Sequence, residues 1–186
     1  MKIYGTAKGG AISTKDFGVA FGGGAAPEST ELWAITATGQ EEAFSTAITI
    51  LAQLFETGHV LMGETITRFD ANLSKQGSPT GDITARIIGP ADASPANEEK
   101  LNMGTLDSEE LTGSYVTHTF ENPDGDSYVL EDGDRLALYF SGNDTDRPLW
   151  QMSPTDSSED YTEGSYYSSG SWTPRTRDFT MAVWGY

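Results

Sequence analysis

The clearest strand in the chain reads Tyr115-Val116-Thr117-His118-Thr119-Phe120. Its side chains alternate, so that Val116, His118 and Phe120 share one phase while a tyrosine and two threonines share the other. A period of two residues is typical of a half-buried β-strand, because successive side chains of a strand point to opposite faces of the sheet. The segment therefore predicts a strand that packs one face against an opposing sheet.

A second strand of the same kind follows a turn at Glu131-Asp132-Gly133-Asp134. It runs from Arg135 to Phe140, with Leu136, Leu138 and Phe140 in one phase. Aspartate and glycine are common turn residues, because the first caps its own backbone and the second accepts a left-handed conformation. We expect the three apolar side chains to share an interior with the alternating face of the first strand.

Further strands extend this pattern along the chain. The phases expected to be buried are Phe69, Ala71 and Leu73 within residues 65–73, and Ile83, Ala85 and Ile87 within residues 82–88. The turn Gly77-Ser78-Pro79-Thr80-Gly81 separates these two strands, and residues 122–126 form another turn. A last strand is expected at residues 179–184.

Three segments carry a weaker pattern. Residues 41–62 could suit a helix or a strand, and the β-branched run Ala47-Ile48-Thr49-Ile50-Leu51 favours the strand. Residues 89–112 and 141–173 read as polar connections. Short strands separated by turns, without alternating helices, predict an all-β fold, namely an antiparallel β-sandwich of the jelly-roll type.

The charge of the chain limits its partners. The formal net charge of −17 argues against a nucleic-acid partner and against an acidic membrane surface, since both are negatively charged. It suits a halophilic source or a calcium-rich exterior, and an ordinary acidic protein is an equal alternative. Cysteine is absent, and no apolar stretch is long enough for membrane insertion. Residues 1–10 contain no apolar signal-peptide core, so no export signal is expected there.

Residues 1–31 differ in composition from residues 32–186, which hold the predicted strands. This Gly-rich N-terminal arm has one apolar patch, in which Phe17, Val19 and Phe21 alternate before Gly22-Gly23-Gly24. An extended arm needs partners for its backbone groups, and a sheet edge supplies them. The arm is therefore expected to dock on a neighbouring subunit, or alternatively to fold back onto its own domain.

A set of motifs in the C-terminal three quarters of the chain occurs in a characteristic order. The motifs are Ala52-Gln53-Leu54-Phe55, Gly77-Ser78-Pro79-Thr80-Gly81, Leu130-Glu131-Asp132-Gly133-Asp134 before Leu136-Ala137-Leu138, and Trp172…Asp178-Phe179…Val183-Trp184-Gly185. From about Ala52 to Tyr186 the chain resembles a β-sandwich domain of phage, bacterial and archaeal surface proteins. The resemblance implies a jelly-roll fold and a structural or adhesive role, and it transfers no catalytic residues.

Aromatic residues among serine and acidic residues mark a candidate ligand-binding surface. Sugar recognition uses flat aromatic faces beside polar groups. The candidates are Trp150, Tyr161, Tyr166, Tyr167 and Trp172. The alternative is that Trp150 and Trp172 belong to the core and cover a sheet edge, which is the favoured interpretation of Trp172.

The sequence contains little that indicates a catalytic site. The only histidines are His59, expected in a turn, and His118, expected to be half-buried and hydrogen-bonded. Glu159, Asp160 and Glu163 lie among aromatics, but glycoside hydrolysis needs one carboxyl held neutral and one ionised at a fixed separation. A solvated acidic loop is the better interpretation, so no catalytic site is predicted.

No cofactor is expected from the sequence, and calcium is the one metal that stays open as an alternative. Asp124 and Asp126 flank Gly125, and residues 143–146 add further oxygen ligands. Ca²⁺ takes six to eight oxygens, and neither run completes a known calcium loop. Asx-turns explain both runs equally well.

The sequence as a whole favours a non-enzymatic structural protein of a virion or of another extracellular surface assembly, docking through its N-terminal arm. Self-association, or assembly with other structural subunits, is the expected partnership. The alternative is a carbohydrate-binding or adhesion module that recognises a cell-surface glycan. A hydrolase is the third and weakest reading.

Overall fold

The computed structural model describes residues 28–90, 99–142, 145–154 and 162–186. Within these ranges the chain forms thirteen β-strands and one short 3-10 helix, Ser108–Glu110. The strands are β1 Thr30–Ile35, β2 Gln40–Ala43, β3 Ile50–Phe55, β4 Thr65–Gln76, β5 Asp82–Ile88, β6 Glu99–Asp107, β7 Val116–Glu121, β8 Tyr128–Val129, β9 Arg135–Phe140, β10 Arg147–Met152, β11 Thr162–Ser168, β12 Ser171–Pro174 and β13 Met181–Gly185.

The first sheet is built around β4, the longest of the described strands. Its main order is β1-β13-β4-β10-β2, and β7 and β8 also pair with β4. Phe69 pairs with both Val183 and Phe120, which places β13 and β7 on opposite edges of β4. One long strand thus organises seven strands in a single antiparallel sheet.

The second sheet has six antiparallel strands in the order β12-β11-β3-β9-β5-β6. The core lies between the two sheets and is fully shielded from solvent at its centre. Large side chains from both sheets meet there, among them Leu51, Phe55, Leu138, Phe69 and Trp150. This architecture confirms the prediction of an all-β antiparallel sandwich.

The predicted buried phases are confirmed in the three central strands. The shielded residues are Phe69, Ala71 and Leu73 in β4, Ile83, Ala85 and Ile87 in β5, and Leu136, Leu138 and Phe140 in β9. The turn at residues 77–81 also forms as expected. A Cβ on Gly77, where φ is 75°, would meet the carboxylate of Asp146, which accepts a hydrogen bond from the Ser78 backbone at 3.0 Å.

The prediction for β7 is wrong at one end. Phe120 is buried and stacks on Phe69 with ring centroids 5.3 Å apart, and His118 is half-buried. Val116, however, is 43% exposed. Among the described strands β7 pairs only with β4, so it lies at the rim of the first sheet, where Val116 stays in contact with solvent.

Two segments predicted as polar connections contain strands. Residues 89–112 include β6, and residues 141–173 include β10, β11 and β12. Their polar sequences are compatible with strands because β6, β11 and β12 lie at or near the edge of a sheet, where many side chains stay partly or fully accessible to water. Residues 41–62 form two strands joined by a turn instead of one, and no helix.

The final strand is shorter than predicted. It begins at Met181, and Phe179 forms only an isolated bridge with Met152. The Phe179 backbone N–H donates instead to Oε1 of the fully buried Gln53, at 2.9 Å. A side chain of the second sheet therefore replaces a backbone partner at this point.

Residues 1–27 of the predicted arm lie outside the described residues. Thr30 and Glu31, placed in the arm by composition, already belong to β1, which pairs with β13. The jelly-roll connectivity stays a prediction. Within the four described ranges no helix is long and apolar enough to cross a membrane.

Candidate functional site

The six-stranded sheet carries a second hydrophobic cluster on its outer face, away from the core. The cluster consists of Ile50, Ala52, Ile88 and Ala137, and Tyr139, Tyr167 and Trp172 pack on top of it. Alternation explains its position, because Ile50 and Ala52 flank the core residue Leu51 on β3. Three aromatic side chains therefore cover a floor of small and branched apolar residues.

The aromatic residues form a line across the strands. Trp172 on β12 pairs with Tyr167 on β11, Tyr167 pairs with Ile50 on β3, and Ile50 pairs with Tyr139 on β9. Cross-strand partners share a face of the sheet, so the register alone brings these side chains together. We call Trp172, Tyr167, Ile50 and Tyr139 the aromatic row.

A tight hairpin sets one end of the aromatic row. Ser169 and Gly170 connect β11 to β12, with φ of 52° and 89°. Positive φ at both central residues is the geometry of a type I′ turn, whose twist matches that of the paired strands. The hairpin brings Tyr167 and Trp172 into edge-to-face contact with ring centroids 5.4 Å apart.

Two arginines stack against the aromatic row. The guanidinium carbon of Arg86 lies 4.5 Å from the centroid of the Tyr139 ring, and that of Arg135 lies 4.6 Å from the Trp172 ring. Arg86 also forms an ion pair with Glu99, with Nη1 and Oε2 2.9 Å apart. We call the aromatic row together with Arg86 and Arg135 the platform.

Several polar atoms of the platform are shielded from solvent without a hydrogen-bond partner. They are the Tyr139 hydroxyl, the Trp172 indole Nε1 and the Arg86 Nε. A shielded polar group without a partner costs about 1–3 kcal/mol, so such groups call for an explanation. Burial is the main cause that raises the pKa of Tyr139 to about 12, so its hydroxyl stays protonated and able to donate.

Glu163 is the acidic member of this face. It pairs with Leu54 on β3. Glu163 is two residues from Ser165 and four from Tyr167 along β11, and alternate residues of a strand share a face, so all three lie on the same side of the sheet. Burial raises the pKa of its carboxyl above the ordinary value, Glu56 raises it further, and Arg135 lowers it. The platform is thus bordered by a carboxyl group whose oxygens can accept hydrogen bonds.

The structure separates the five aromatic residues proposed from sequence. Tyr167 and Trp172 lie on the platform, whereas Tyr166 points to the other side of β11 and packs against the core. Trp150 is fully buried, so its prediction as a binding residue is wrong. Its partner in the ladder, Leu73, faces the core, and Trp150 must face the same way. Tyr161 lies outside the described residues.

Sequence reasoning missed four members of the platform, namely Ile50, Tyr139, Arg86 and Arg135. The signal was available, because Arg135, Ala137 and Tyr139 occupy the phase of β9 opposite to its core leucines. Arg86 likewise alternates with Ala85 and Ile87 on β5. Finding the site required knowing that β3, β5, β9, β11 and β12 are neighbours.

The proposed calcium residues form a turn. The backbone N–H groups of Asp124 and Asp126 both donate to Oδ1 of Asn122, at 2.8 and 3.0 Å. This is the Asx-turn arrangement, and Asn143 and Asp144 lie outside the described residues. Within the parts of the chain that are described, no three His, Cys, Asp or Glu side chains are placed to hold a metal ion.

The two histidines occupy different environments. His59 lies in a turn and is buried between Trp33 and Phe55, with both ring centroids 4.9 Å away, and its Nδ1 accepts from the Leu61 backbone at 3.2 Å. His118 is half-buried, but its Nε2 is shielded without a partner, so the expectation of a hydrogen-bonded histidine is not met at that atom. Burial lowers the pKa of both.

The remaining candidates lie beyond the described ranges. They are Phe17, Val19 and Phe21 of the arm, and the loop carboxylates Glu159 and Asp160. No protein-family model matches the chain, and no curated protein or solved structure matches it either.

Proposed function

We propose that this protein is a non-enzymatic binding domain whose platform recognises a saccharide. The observation that carries the proposal is the aromatic row, which lines up three rings on one face of a sheet. The C–H faces of sugar rings pack well against aromatic rings, which combine a large apolar surface with a defined geometry. A rigid sheet holds such rings in place without a loss of loop entropy on binding.

The polar groups of the platform support the same ligand. Sugar hydroxyls both donate and accept hydrogen bonds, and the Trp172 indole and the Tyr139 hydroxyl provide shielded donors without partners. After a small side-chain movement a ligand can accept hydrogen bonds from these two donors. Binding then removes the free-energy cost of leaving them without partners in the free protein. Arg86 and Glu163 add a donor and an acceptor at the border of the platform.

Binding to an array of immobilised glycans, followed by calorimetry on the best ligand, tests this function. Trp172→Leu keeps an apolar cover over Ile50 but removes the indole, and we expect a loss of affinity of at least tenfold. Tyr186→Ala is the control, because Tyr186 is 45% exposed and follows β13 of the other sheet. A chain that binds no glycan, or a Trp172→Leu variant that binds normally, would refute the proposal.

A second function, assembly through the arm, is favoured by one observation. The chain joins the sandwich at Ser29, whose hydroxyl lies 2.8 Å from that of Thr67, and continues as β1. Among the described strands β1 pairs only with β13 and so leaves one edge open for a further strand. We propose that a virion or extracellular surface structure incorporates the protein in this way and displays the platform for adhesion.

Deleting residues 1–24 tests the assembly function, because β1 remains intact. We expect the full chain to oligomerise in size-exclusion chromatography with light scattering, and the truncated chain to stay folded as a monomer. Circular dichroism supplies the check on folding. If the full chain is monomeric, or if the truncated chain still oligomerises, the arm is not an assembly strand and glycan binding remains the function.

A further inference from the structure

We propose that the ligand of the platform is a linear, uncharged oligosaccharide that lies across the strands with about one sugar ring per strand. This inference rests on the proposed saccharide function and specifies its ligand. It follows from the direction of the aromatic row, from the spacing of the strands and from the balance of charges on this face.

The small residues beside the aromatic row determine the direction in which the ligand lies. On β11, β3 and β9, one step along the strands and on the same face, the cross-strand positions hold Ser165, Ala52 and Ala137. All three are buried and too small to offer a ring surface. The stacking surface therefore continues from strand to strand and stops along each strand, so an elongated ligand follows the aromatic row.

The spacing of the strands determines how many sugar rings the aromatic row can hold. Trp172 and Tyr139 are separated by three strand intervals, β12 to β11, β11 to β3 and β3 to β9, which amount to about 14 Å at roughly 4.8 Å each. A pyranose ring in an extended chain advances by about the same distance as one strand interval. Neighbouring rings of a linear oligosaccharide therefore lie over neighbouring strands of the row, and the buried Ile50 supports the aromatic side chains from below.

Beyond Tyr139 the same row continues in hydroxyl groups. Thr84 on β5 pairs with Tyr139 and with Thr105 on β6, and the two threonine hydroxyls lie 3.3 Å apart. Thr105 is exposed, so this pair is accessible from the surface. The aromatic part of the row ends in a polar part, which suits the hydroxyl-rich end of an oligosaccharide and extends the footprint to six strands.

The charges favour an uncharged ligand. Arg86 and Arg135 are accompanied by Glu99 and Glu163, and Glu56 lies close enough to Glu163 to raise the pKa of its carboxyl, so no excess of positive charge remains on this face. Arg86 Nη1 is paired with Glu99, and Arg135 Nη1 donates to the Gly133 carbonyl at 3.3 Å. The whole chain carries −17. Its field repels uronates and sulfated sugars, and neither arginine presents an unengaged fork to their anionic groups.

A chain-length series measured by calorimetry tests the inference. Linear gluco-, manno- and xylo-oligosaccharides of one to six rings are compared with oligogalacturonates of matched length. We expect affinity to rise at least tenfold from one ring to four, one ring for each strand of the aromatic row, and to change less from four rings to six, with oligogalacturonates binding more weakly. Trp172→Leu should lower the affinity of longer ligands more than that of the single sugar.

Two variants keep the test independent of folding. Tyr139→Leu preserves apolar cover at the far end of the aromatic row, and Tyr186→Ala is the control; thermal melting reports the fold of each. A single sugar that binds as tightly as a trimer, or an oligogalacturonate that binds more tightly than the neutral series, overturns this inference but leaves the saccharide function intact. If no saccharide binds to the folded protein, both proposals fail.

Discussion

Trp150 and Phe179 stack inside the sandwich with ring centroids 4.1 Å apart and planes inclined by only 21°. The indole Nε1 of Trp150 donates to the Thr180 carbonyl at 3.2 Å, so the same tryptophan holds both the ring and the backbone of this segment. Phe179 lies outside the regular ladder, and its position depends on this contact and on Gln53. The stack therefore joins β10 to the segment that leads into β13.

Trp150→Ala should destabilise the protein strongly. Removing a fully buried aromatic side chain leaves a cavity, and we expect the free energy of unfolding to fall by about 3–5 kcal/mol. Urea denaturation followed by circular dichroism measures the change. Trp172→Leu should change stability far less. Equal losses for the two variants would contradict the assignment of Trp150 to the core and Trp172 to the surface.

Phe120→Ala and Val116→Ala provide a matched pair on one strand. Phe120 is buried against Phe69, and its loss should cost about 3–5 kcal/mol. Val116 faces the same side of β7 but is exposed, so Val116→Ala should stay within about 0.5 kcal/mol of the wild type. A large effect at Val116 in chemical denaturation would indicate that a partner or another segment covers the rim of the sheet.

Acidification should weaken the fold through His59. Burial lowers its pKa in the folded protein, so below the ordinary value of 6.5 the unfolded chain binds a proton that the folded chain resists. The stabilising contribution is complete above pH 6.5 and is lost as the pH falls toward the folded pKa. His118 acts in the same direction. Unfolding in urea between pH 7 and 5 measures the slope.

His59→Gln isolates this contribution, because glutamine can still accept from the Leu61 backbone. We expect a shallower loss of stability on acidification in the variant than in the wild type. Asp134 and Glu163 have raised pKa values, so their contribution has the opposite sign and is lost as the pH rises above their ordinary values of 3.8 and 4.5. That contribution is common to both proteins. Identical pH profiles would rule out a role for His59.

Added salt should raise the melting temperature if the acidic surface is a halophilic adaptation. The net charge of −17 means that the acidic side chains repel one another. Salt screens this repulsion over a Debye length of about 10 Å at 0.1 M. Scanning calorimetry in KCl from low to molar concentration measures the effect. A flat profile would contradict the adaptation. A rise that needs only millimolar Ca²⁺ would indicate a metal site instead.

The alternation of residues predicted the interior of the sandwich well where a strand lies at the centre of a sheet. In β9, Leu136, Leu138 and Phe140 are buried as expected because strands lie on both sides. The same argument failed for Val116, because alternation identifies the face of a strand and not its distance from the rim. The polar strands β11 and β12 were missed for a related reason, since an edge strand such as β12 and the strand next to it are not obliged to be apolar.

Local periodicity was sufficient to establish an all-β sandwich and most of its core, because each strand must alternate wherever one face is buried. The platform follows only from the register of strands that are far apart in the chain, since Tyr139, Tyr167 and Trp172 lie on three different strands and meet through β3. The burial of Trp150 has the same origin. Its ladder partner Leu73 determines which face it occupies, and a pairing between distant strands leaves no trace in local sequence.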